Sequence, residues 1–319
     1  MPVLSSTEYK PRQWLRGGHR NTLLSHILRT KKSCHFIRQR LITADDDFLD
    51  VDTIINGNQQ LVILCHGLEG GSTSSYIQEF ADGFSKQNFD IIAMNYRGCS
   101  GEINKQARLY HSGSTDDVSL VLDTFYKNYE SVSLIGFSLG GNLTLKLLGE
   151  REYELPKNLK AAVAISTPAD LESCSLRIIQ QENWIYEKRF MISLTSKLKQ
   201  KANQFPDLIN VKNLKLVKNL YQFDDLFTAP LHGFDDAHDY YTQCSSKQFL
   251  SSIEIPTLMI SALDDPFLSE SAIPFDEANE NDNLFLYPCK YGGHVGFYTR
   301  KKQKSWMEIK ALEFILKYI

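Results

Sequence analysis

Along the chain, short runs of β-branched and other apolar residues alternate with stretches whose apolar positions recur at helical spacing. The runs at about residues 61–66, 89–96, 131–137, 161–167, 257–263 and 283–289 read as buried strands. Apolar strands separated by helices predict an α/β fold, with a mostly parallel twisted sheet covered by helices on both faces. A leading hairpin is expected from about 33–43 and 48–55, turning at Asp45-Asp46-Asp47, and a closing helix from about 302–318.

The alternation breaks between about 168 and 250, a stretch too long for an ordinary loop and rich in helix-type charge and aromatic residues. The expected organisation is an α/β core built from residues 1–167 and 251–319 that carries residues 168–250 as an insertion. No internal repeat, linker or low-complexity segment interrupts this pattern.

The sharpest chemical signal is Gly136-Phe137-Ser138-Leu139-Gly140, which sits between the strand-like Val132-Ser133-Leu134-Ile135 and a helix-like run from Asn142 to Leu148. A G-x-S-x-G at such a junction is a nucleophile elbow: the turn is so tight that small residues must flank the serine, whose hydroxyl is held clear of the backbone. Gly141 adds room for close helix packing. Ser138 is therefore the expected nucleophile, against the plainer alternative of an idle serine in a glycine-rich turn.

A serine on an elbow needs an orienting acid and a base, which follow it in that chain order. Of the eight histidines only His294 lies beyond the candidate acids, in Tyr291-Gly292-Gly293-His294-Val295-Gly296-Phe297, read as a mobile glycine-rich loop. The strand ending at Leu263 delivers two adjacent carboxylates, Asp264 and Asp265. Asp264 is favoured as the first residue past the strand, because Asp265 precedes Pro266 and is biased to an extended backbone. The other aspartate is expected to cap a loop by accepting backbone N–H groups.

Stabilising an alkoxide requires backbone N–H donors rather than particular side chains. One is expected from Leu139, directly after the nucleophile, and one from Leu68, in the loop His66-Gly67-Leu68-Glu69-Gly70-Gly71 that follows the strand at 61–66. His66 precedes the nucleophile and is expected to position this loop rather than to act as the base.

Further stretches carry a family likeness: Trp14-Leu15-Arg16-Gly17-Gly18-His19, Asn95-Tyr96-Arg97-Gly98-Cys99-Ser100-Gly101-Glu102, Tyr110-His111-Ser112-Gly113, Phe223-Asp224-Asp225, Thr228-Ala229-Pro230, Gly233-Phe234, Asp239-Tyr240-Tyr241 and Asp264-Asp265-Pro266-Phe267. With the elbow, they make the chain resemble an α/β-hydrolase of the YheT-like branch, which includes the mammalian abhydrolase-domain lipases. The resemblance runs over nearly the whole chain and implies serine-hydrolase chemistry on carboxylic esters, through an acyl-enzyme, without naming the ester. In hydrolases of this architecture an insertion such as 168–250 covers the active site as a cap. Its aromatics, with Trp184 and Phe227 singled out, are expected to form an acyl slot, unless they simply fill the cap's own core. The mammalian relatives begin with a membrane anchor, which this chain is not expected to carry.

Composition narrows the picture further. With 319 residues and 42% hydrophobic content the chain can bury a sizeable core, and 35 basic against 38 acidic residues leave a net charge of -3, so nucleic acid is not an expected partner. The start lacks the charged and apolar regions of an export signal, and no apolar run approaches the ~18 residues of a membrane span, so a cytoplasmic enzyme is expected. Six scattered cysteines without C-x-x-C spacing read as reduced thiols. No metalloprotease, P-loop or dinucleotide signature appears, and neither metal nor cofactor is expected. The expected partner is a small-molecule, lipid-like ester. Thioester or amide cleavage by the same residues stays open, as do a non-catalytic binding role on a hydrolase scaffold and the oligomeric state.

Four other features are read as structural. Arg97 is expected to anchor neighbouring loop carbonyls rather than a substrate anion, and His111 to pack near the cleft. Asp224 and Asp225 are expected to brace the insertion, and Asp45-Asp46-Asp47 to form a solvated turn rather than a calcium site.

Overall fold

A computed structural model of the chain describes residues 3–4, 9–29, 34–150, 152–299 and 304–319. Among these residues eight strands form one sheet: β1 (Ile37–Ile42), β2 (Phe48–Ile54), β3 (Gln60–Cys65), β4 (Phe89–Asn95), β5 (Ser131–Phe137), β6 (Leu159–Ile165), β7 (Thr257–Ala262) and β8 (Leu284–Cys289). Their order is β1-β2-β4-β3-β5-β6-β7-β8. The β1–β2 and β2–β4 pairs are antiparallel, and every other pair is parallel. The α/β fold expected from the alternation is the fold found.

The central strands read as unbroken apolar runs because both of their faces are buried. In β3, Leu61, Ile63 and Cys65 enter the core on one side of the sheet, while Val62 and Leu64 enter the core on the other. β5 divides in the same way, Val132 and Leu134 against Ile135 and Phe137. Burying each such side chain is worth about 1.5–3 kcal/mol, so a one-residue slip of register would exchange two buried faces without exposing either. The long parallel crossovers, not polar alternation, therefore set the register here.

Helices α1 (Gly18–Leu28), α2 (Ser75–Ser85), α3 (Thr115–Phe125) and α4 (Leu139–Gly149) come before β6, and α5 (Leu171–Ile178), α6 (Trp184–Gln204), α7 (Leu220–Phe223), α8 (Ala229–His232) and α9 (Ala237–Cys244) lie between β6 and β7. Helix α10 (Phe275–Glu280) joins β7 to β8, and α11 (Trp306–Ile315) closes the chain. The β6–β7 segment gathers an apolar cluster of its own around Leu194, Leu198, Leu220, Phe223 and Phe227. Two sequence expectations fall partly outside the described residues: position 33 of the hairpin, and 302–303 of the closing helix. The parallel strands β3, β5, β7 and β8 direct their C-terminal ends toward one rim, where α/β sheets bind their ligands.

Candidate active site

Ser138 lies between β5 and α4 at φ 53°, ψ -120°, a backbone conformation that L-residues rarely adopt. The neighbouring glycines are required by space. A Cβ on Gly136 would lie 2.2 Å from the Gly140 carbonyl oxygen, and one on Gly140 would lie 2.3 Å from that of Cys65. Gly141 similarly allows α4 to press against Thr167, two residues past the end of β6. The strained turn lifts the Ser138 hydroxyl to 2.8 Å from His294 Nε2.

The other ring nitrogen of His294 meets the second of the two aspartates and not the one the sequence favours. His294 Nδ1 lies 2.9 and 3.2 Å from the two carboxylate oxygens of Asp265, not of Asp264. β7 ends at Ala262, one residue earlier than expected, and Asp265 N–H donates to the Ala262 carbonyl in a tight turn. Pro266 has no N–H to offer, and Phe267 N–H instead donates to Asp265 Oδ1 and fixes the carboxylate. Asp264 accepts the Gly293 N–H at 2.9 Å, and burial raises its pKa above the usual carboxylate range. The expected loop-capping aspartate is thus Asp264.

The His294 loop is tied down at several points. His294 N–H donates to Thr22 Oγ1, Val295 N–H donates to Ser166 Oγ, and the Arg29 guanidinium donates to the carbonyls of Val295 and Gly296. Phe267 packs on the imidazole with ring centroids 4.1 Å apart. The His294 side chain is only 10% exposed, so the expectation of a mobile loop gives way to a clamped one. Thr22, Arg29 and Ser166 carry no motif, and only folding brings them to the histidine.

The loop after β3 approaches Ser138 closely, since a Cβ on Gly67 would lie 3.1 Å from that of Ser138. Gly67 N–H donates to Tyr76 Oη and Glu69 N–H to Tyr110 Oη, whereas no acceptor among the described residues takes the Leu68 N–H. Leu139 N–H opens α4, where the first turn has no carbonyl one turn back to bond. His66 is fully buried and braces the loop from beneath. Its Nδ1 donates to the Gly67 carbonyl, its Nε2 accepts Tyr96 N–H, and burial lowers its pKa to about 4.

An apolar pocket opens at Ser138 and Leu139, lined by Leu171, Ile178, Phe190, Leu194, Leu220 and Phe267. Neither aromatic singled out in the sequence contributes to it. Trp184 is 55% exposed at the start of α6, and Phe227 is buried against Phe223 inside the cluster of the β6–β7 segment. Helical spacing identifies a buried face, but it does not say whether that face meets a cavity or another helix.

Polar groups also border the pocket. Burial raises the Asp224 carboxyl to about 6, and it accepts hydrogen bonds from Thr228 Oγ1 and Tyr241 Oη. Burial depresses the His111 imidazole, whose Nδ1 accepts Gly113 N–H. Asp225 accepts Ala237 N–H and so joins two parts of the segment. A wider groove reaches Ser138 and His294 from another side, past Thr22, Ile185, Tyr186 and Arg189.

Arg97 lies away from this chemistry, buried among the carboxylates of Asp117, Asp45 and Asp47. It anchors carboxylates, not the carbonyls expected of it. The acidic turn is correspondingly not a solvated one: Asp47 is fully buried and also accepts from Asn104 and from the N–H groups of Phe48, Lys105 and Gln106. Among the described residues no three His, Cys, Asp or Glu side chains converge as metal ligands would, and no helix is long and apolar enough to cross a membrane.

Known proteins share this framework. Residues 60–300 match the family model of the alpha/beta hydrolase fold. YheT of Escherichia coli (strain K12), a provisionally assigned esterase, is 34% identical over 99% of this chain and 95% of its own length. Phospholipase ABHD3 of Bos taurus is 29% identical over 98% of this chain and 79% of its own. The solved esterase Pf2001 of Pyrococcus furiosus superposes with a TM-score of 0.58 at 17% identity, covering 89% of this chain and 93% of that one, a likeness of fold alone. With the family model spanning most of the sheet and YheT aligned from end to end, the chain belongs to the alpha/beta hydrolase fold family.

Proposed function

We propose that this protein is a serine hydrolase that cleaves carboxylic esters through an acyl-enzyme. The observation that carries the reading is the unbroken relay from Ser138 Oγ to His294 Nε2 and from His294 Nδ1 to Asp265. In this reading His294 takes the Ser138 proton as Oγ attacks the ester carbonyl carbon. Asp265 holds the imidazole in the tautomer with Nδ1 protonated and stabilises the imidazolium that forms. The Leu68 and Leu139 N–H groups receive the oxyanion. His294 then protonates the departing alcohol, and a water activated by the same imidazole hydrolyses the acyl-enzyme.

Residues 168–250 act as the cap, and the pocket between Leu171, Phe190, Leu194 and Phe267 takes the acyl chain. The wider groove past Arg189 takes the alcohol part. Ester substrates are preferred to amides because the relatives carry the names esterase, phospholipase and monoacylglycerol lipase.

A fluorophosphonate probe and a series of nitrophenyl esters of graded acyl length test the reading. The parent protein should be labelled and should turn esters over. Ser138→Ala should lose both properties, with turnover down about 10⁶-fold. Undiminished labelling of Ser138→Ala would reject the nucleophile, and an unlabelled, inactive parent would reject the enzyme.

A further inference from the structure

We infer that Glu69, Ser193 and Lys197 are positioning residues that hold the Leu68 N–H in place through the cap, so that the oxyanion hole is complete only while helix α6 is seated. The inference rests on the proposed ester hydrolysis and on Leu68 as one of its donors.

Glu69 follows Leu68 at φ 55°, a left-handed conformation that a glutamate holds only when its surroundings impose it. Those surroundings come mainly from outside the loop. The Glu69 carboxylate is 6% exposed and accepts from Tyr110 Oη at 2.8 Å, from Lys197 Nζ at 2.8 Å and from Ser193 Oγ. Tyr110 Oη in turn accepts the Glu69 N–H at 2.8 Å, so the peptide next to Leu68 is fixed at both its backbone and its side chain.

Ser193 and Lys197 stand one turn apart on α6 and present their polar atoms to the same carboxylate. Between and after them, Leu194 and Leu198 belong to the apolar cluster against which Leu68 packs. Helix α6 thus holds Glu69 by charge and contributes Leu194 and Leu198 to one of the two apolar clusters that Leu68 packs against, the other being the core beneath the loop. Burial opposes the Lys197 ammonium, but its neighbours Cys99 and Glu69 outweigh that effect and keep its pKa above the ordinary lysine value, so Lys197 carries its charge at neutral pH.

If α6 lifted, Glu69 would lose two of its three side-chain donors and keep Tyr110 alone. The left-handed turn could then relax and swing the Leu68 N–H away from Ser138. A cap that opens to admit substrate would therefore switch off the chemistry until it closed again.

The experiment compares kcat and KM for 4-nitrophenyl acetate, an ester too short to use the acyl pocket, with the rate of fluorophosphonate labelling, which builds negative charge in the same hole. Lys197→Met should lower kcat and the labelling rate together by about 100-fold, the scale of losing one oxyanion donor, with KM within about threefold of the parent. Ser193→Ala should lower both by about tenfold. Lys197→Arg, which restores the ion pair, should recover most of the loss, and Lys199→Met on the exposed side of α6 should match the parent.

A Lys197→Met protein with parental kcat and labelling rate, or with a loss confined to KM, would overturn the inference. If Lys197→Met fails to fold, Ser193→Ala decides, because it leaves the ion pair intact: parental kcat in that variant overturns the inference, and a joint fall in kcat and labelling upholds it. A parent inactive toward ester and probe alike would instead remove the ester-hydrolase reading, and this inference with it.

Discussion

Asp264 and Asp265 are consecutive in the chain, yet their carboxylates serve different partners: Asp264 accepts the Gly293 N–H, while Asp265 faces the His294 imidazole. One peptide step across the turn after β7 separates a loop brace from the proposed catalytic acid. Asp265→Asn should lower turnover by roughly 10⁴-fold through the wrong histidine tautomer. Asp264→Asn, whose amide oxygen can still accept from Gly293, should stay within about tenfold of the parent. Steady-state kinetics of the two variants checks the pair, and the opposite ranking would return the acid to Asp264.

Gly140 abuts the backbone of β3, with space for a Cβ closed off by the Cys65 carbonyl at 2.3 Å and the His66 carbonyl at 2.6 Å. Neither obstacle is the end of a flexible side chain. Gly140→Ala should therefore cost roughly 3 kcal/mol of stability and, by shifting the elbow against the oxyanion loop, about 10²-fold in turnover. Denaturant unfolding and kinetics measure the two effects; a fully stable, fully active variant would contradict the packing described.

Acid should unfold the protein partly through Asp47. Burial pushes this carboxyl up, but hydrogen bonds from Asn104 and from the Lys105, Gln106 and Phe48 N–H groups outweigh it, and the net shift is downward. A native pKa below the unfolded value means that the stabilisation is complete above about pH 4 and is lost as pH falls through the lower native value. Asp47→Asn should be less stable at pH 7 by roughly 3 kcal/mol, since it leaves Arg97 short of a charge partner, and its stability should fall less between pH 5 and pH 2. Unfolding free energies measured across that range provide the check, and parallel curves for parent and variant would refute it.

The aromatics of the β6–β7 segment divide into three classes by position. Phe190→Ala should lengthen the acyl chain at which specificity peaks, because each buried methylene is worth up to about 0.8 kcal/mol and the truncation opens new space. Phe227→Ala should leave that optimum unmoved and cost about 3–5 kcal/mol of stability. Trp184→Ala, on the surface, should change stability by no more than about 0.5 kcal/mol. Chain-length profiles and thermal unfolding of the three variants distinguish these outcomes; an unshifted profile for Phe190→Ala would remove the acyl role from this pocket.

The six core strands β3–β8 were legible in the sequence to within two residues because each is an apolar run long enough to cross the sheet once, whereas the polar β1 begins four residues later than the hairpin pattern suggests; Ser138 was legible because its glycines are demanded by contacts with adjoining backbone. His294 followed from chain order. What sequence could not resolve depended on where a turn points a side chain. Which of Asp264 and Asp265 meets the imidazole depends on the turn that Asp265 N–H closes on the Ala262 carbonyl, and the Asp45–Asp47 turn looks solvated in the sequence because its buried partner Arg97 lies fifty residues away. Trp184 and Phe227 failed for a related reason, since amphipathic spacing marks the buried side of a helix without revealing what it is buried against.

Helix α1 is wedged between the loops that follow β7 and β8: Gly18 lies against the Asp264 carbonyl, and Thr22 and Arg29 hold the backbone from His294 to Gly296. The Thr22–His294 contact joins residues 272 positions apart. In a refolding chain, contacts of such separation form after the local ones, because ordering the intervening chain must come first. The sheet can therefore assemble around an imidazole that is not yet aimed at Ser138, and ester hydrolysis should return more slowly than far-ultraviolet circular dichroism after dilution from denaturant. Identical time courses would show instead that α1 docks along with the strands. A lag would make enzymatic activity the reporter of the final step of folding, a step to which backbone spectroscopy is blind.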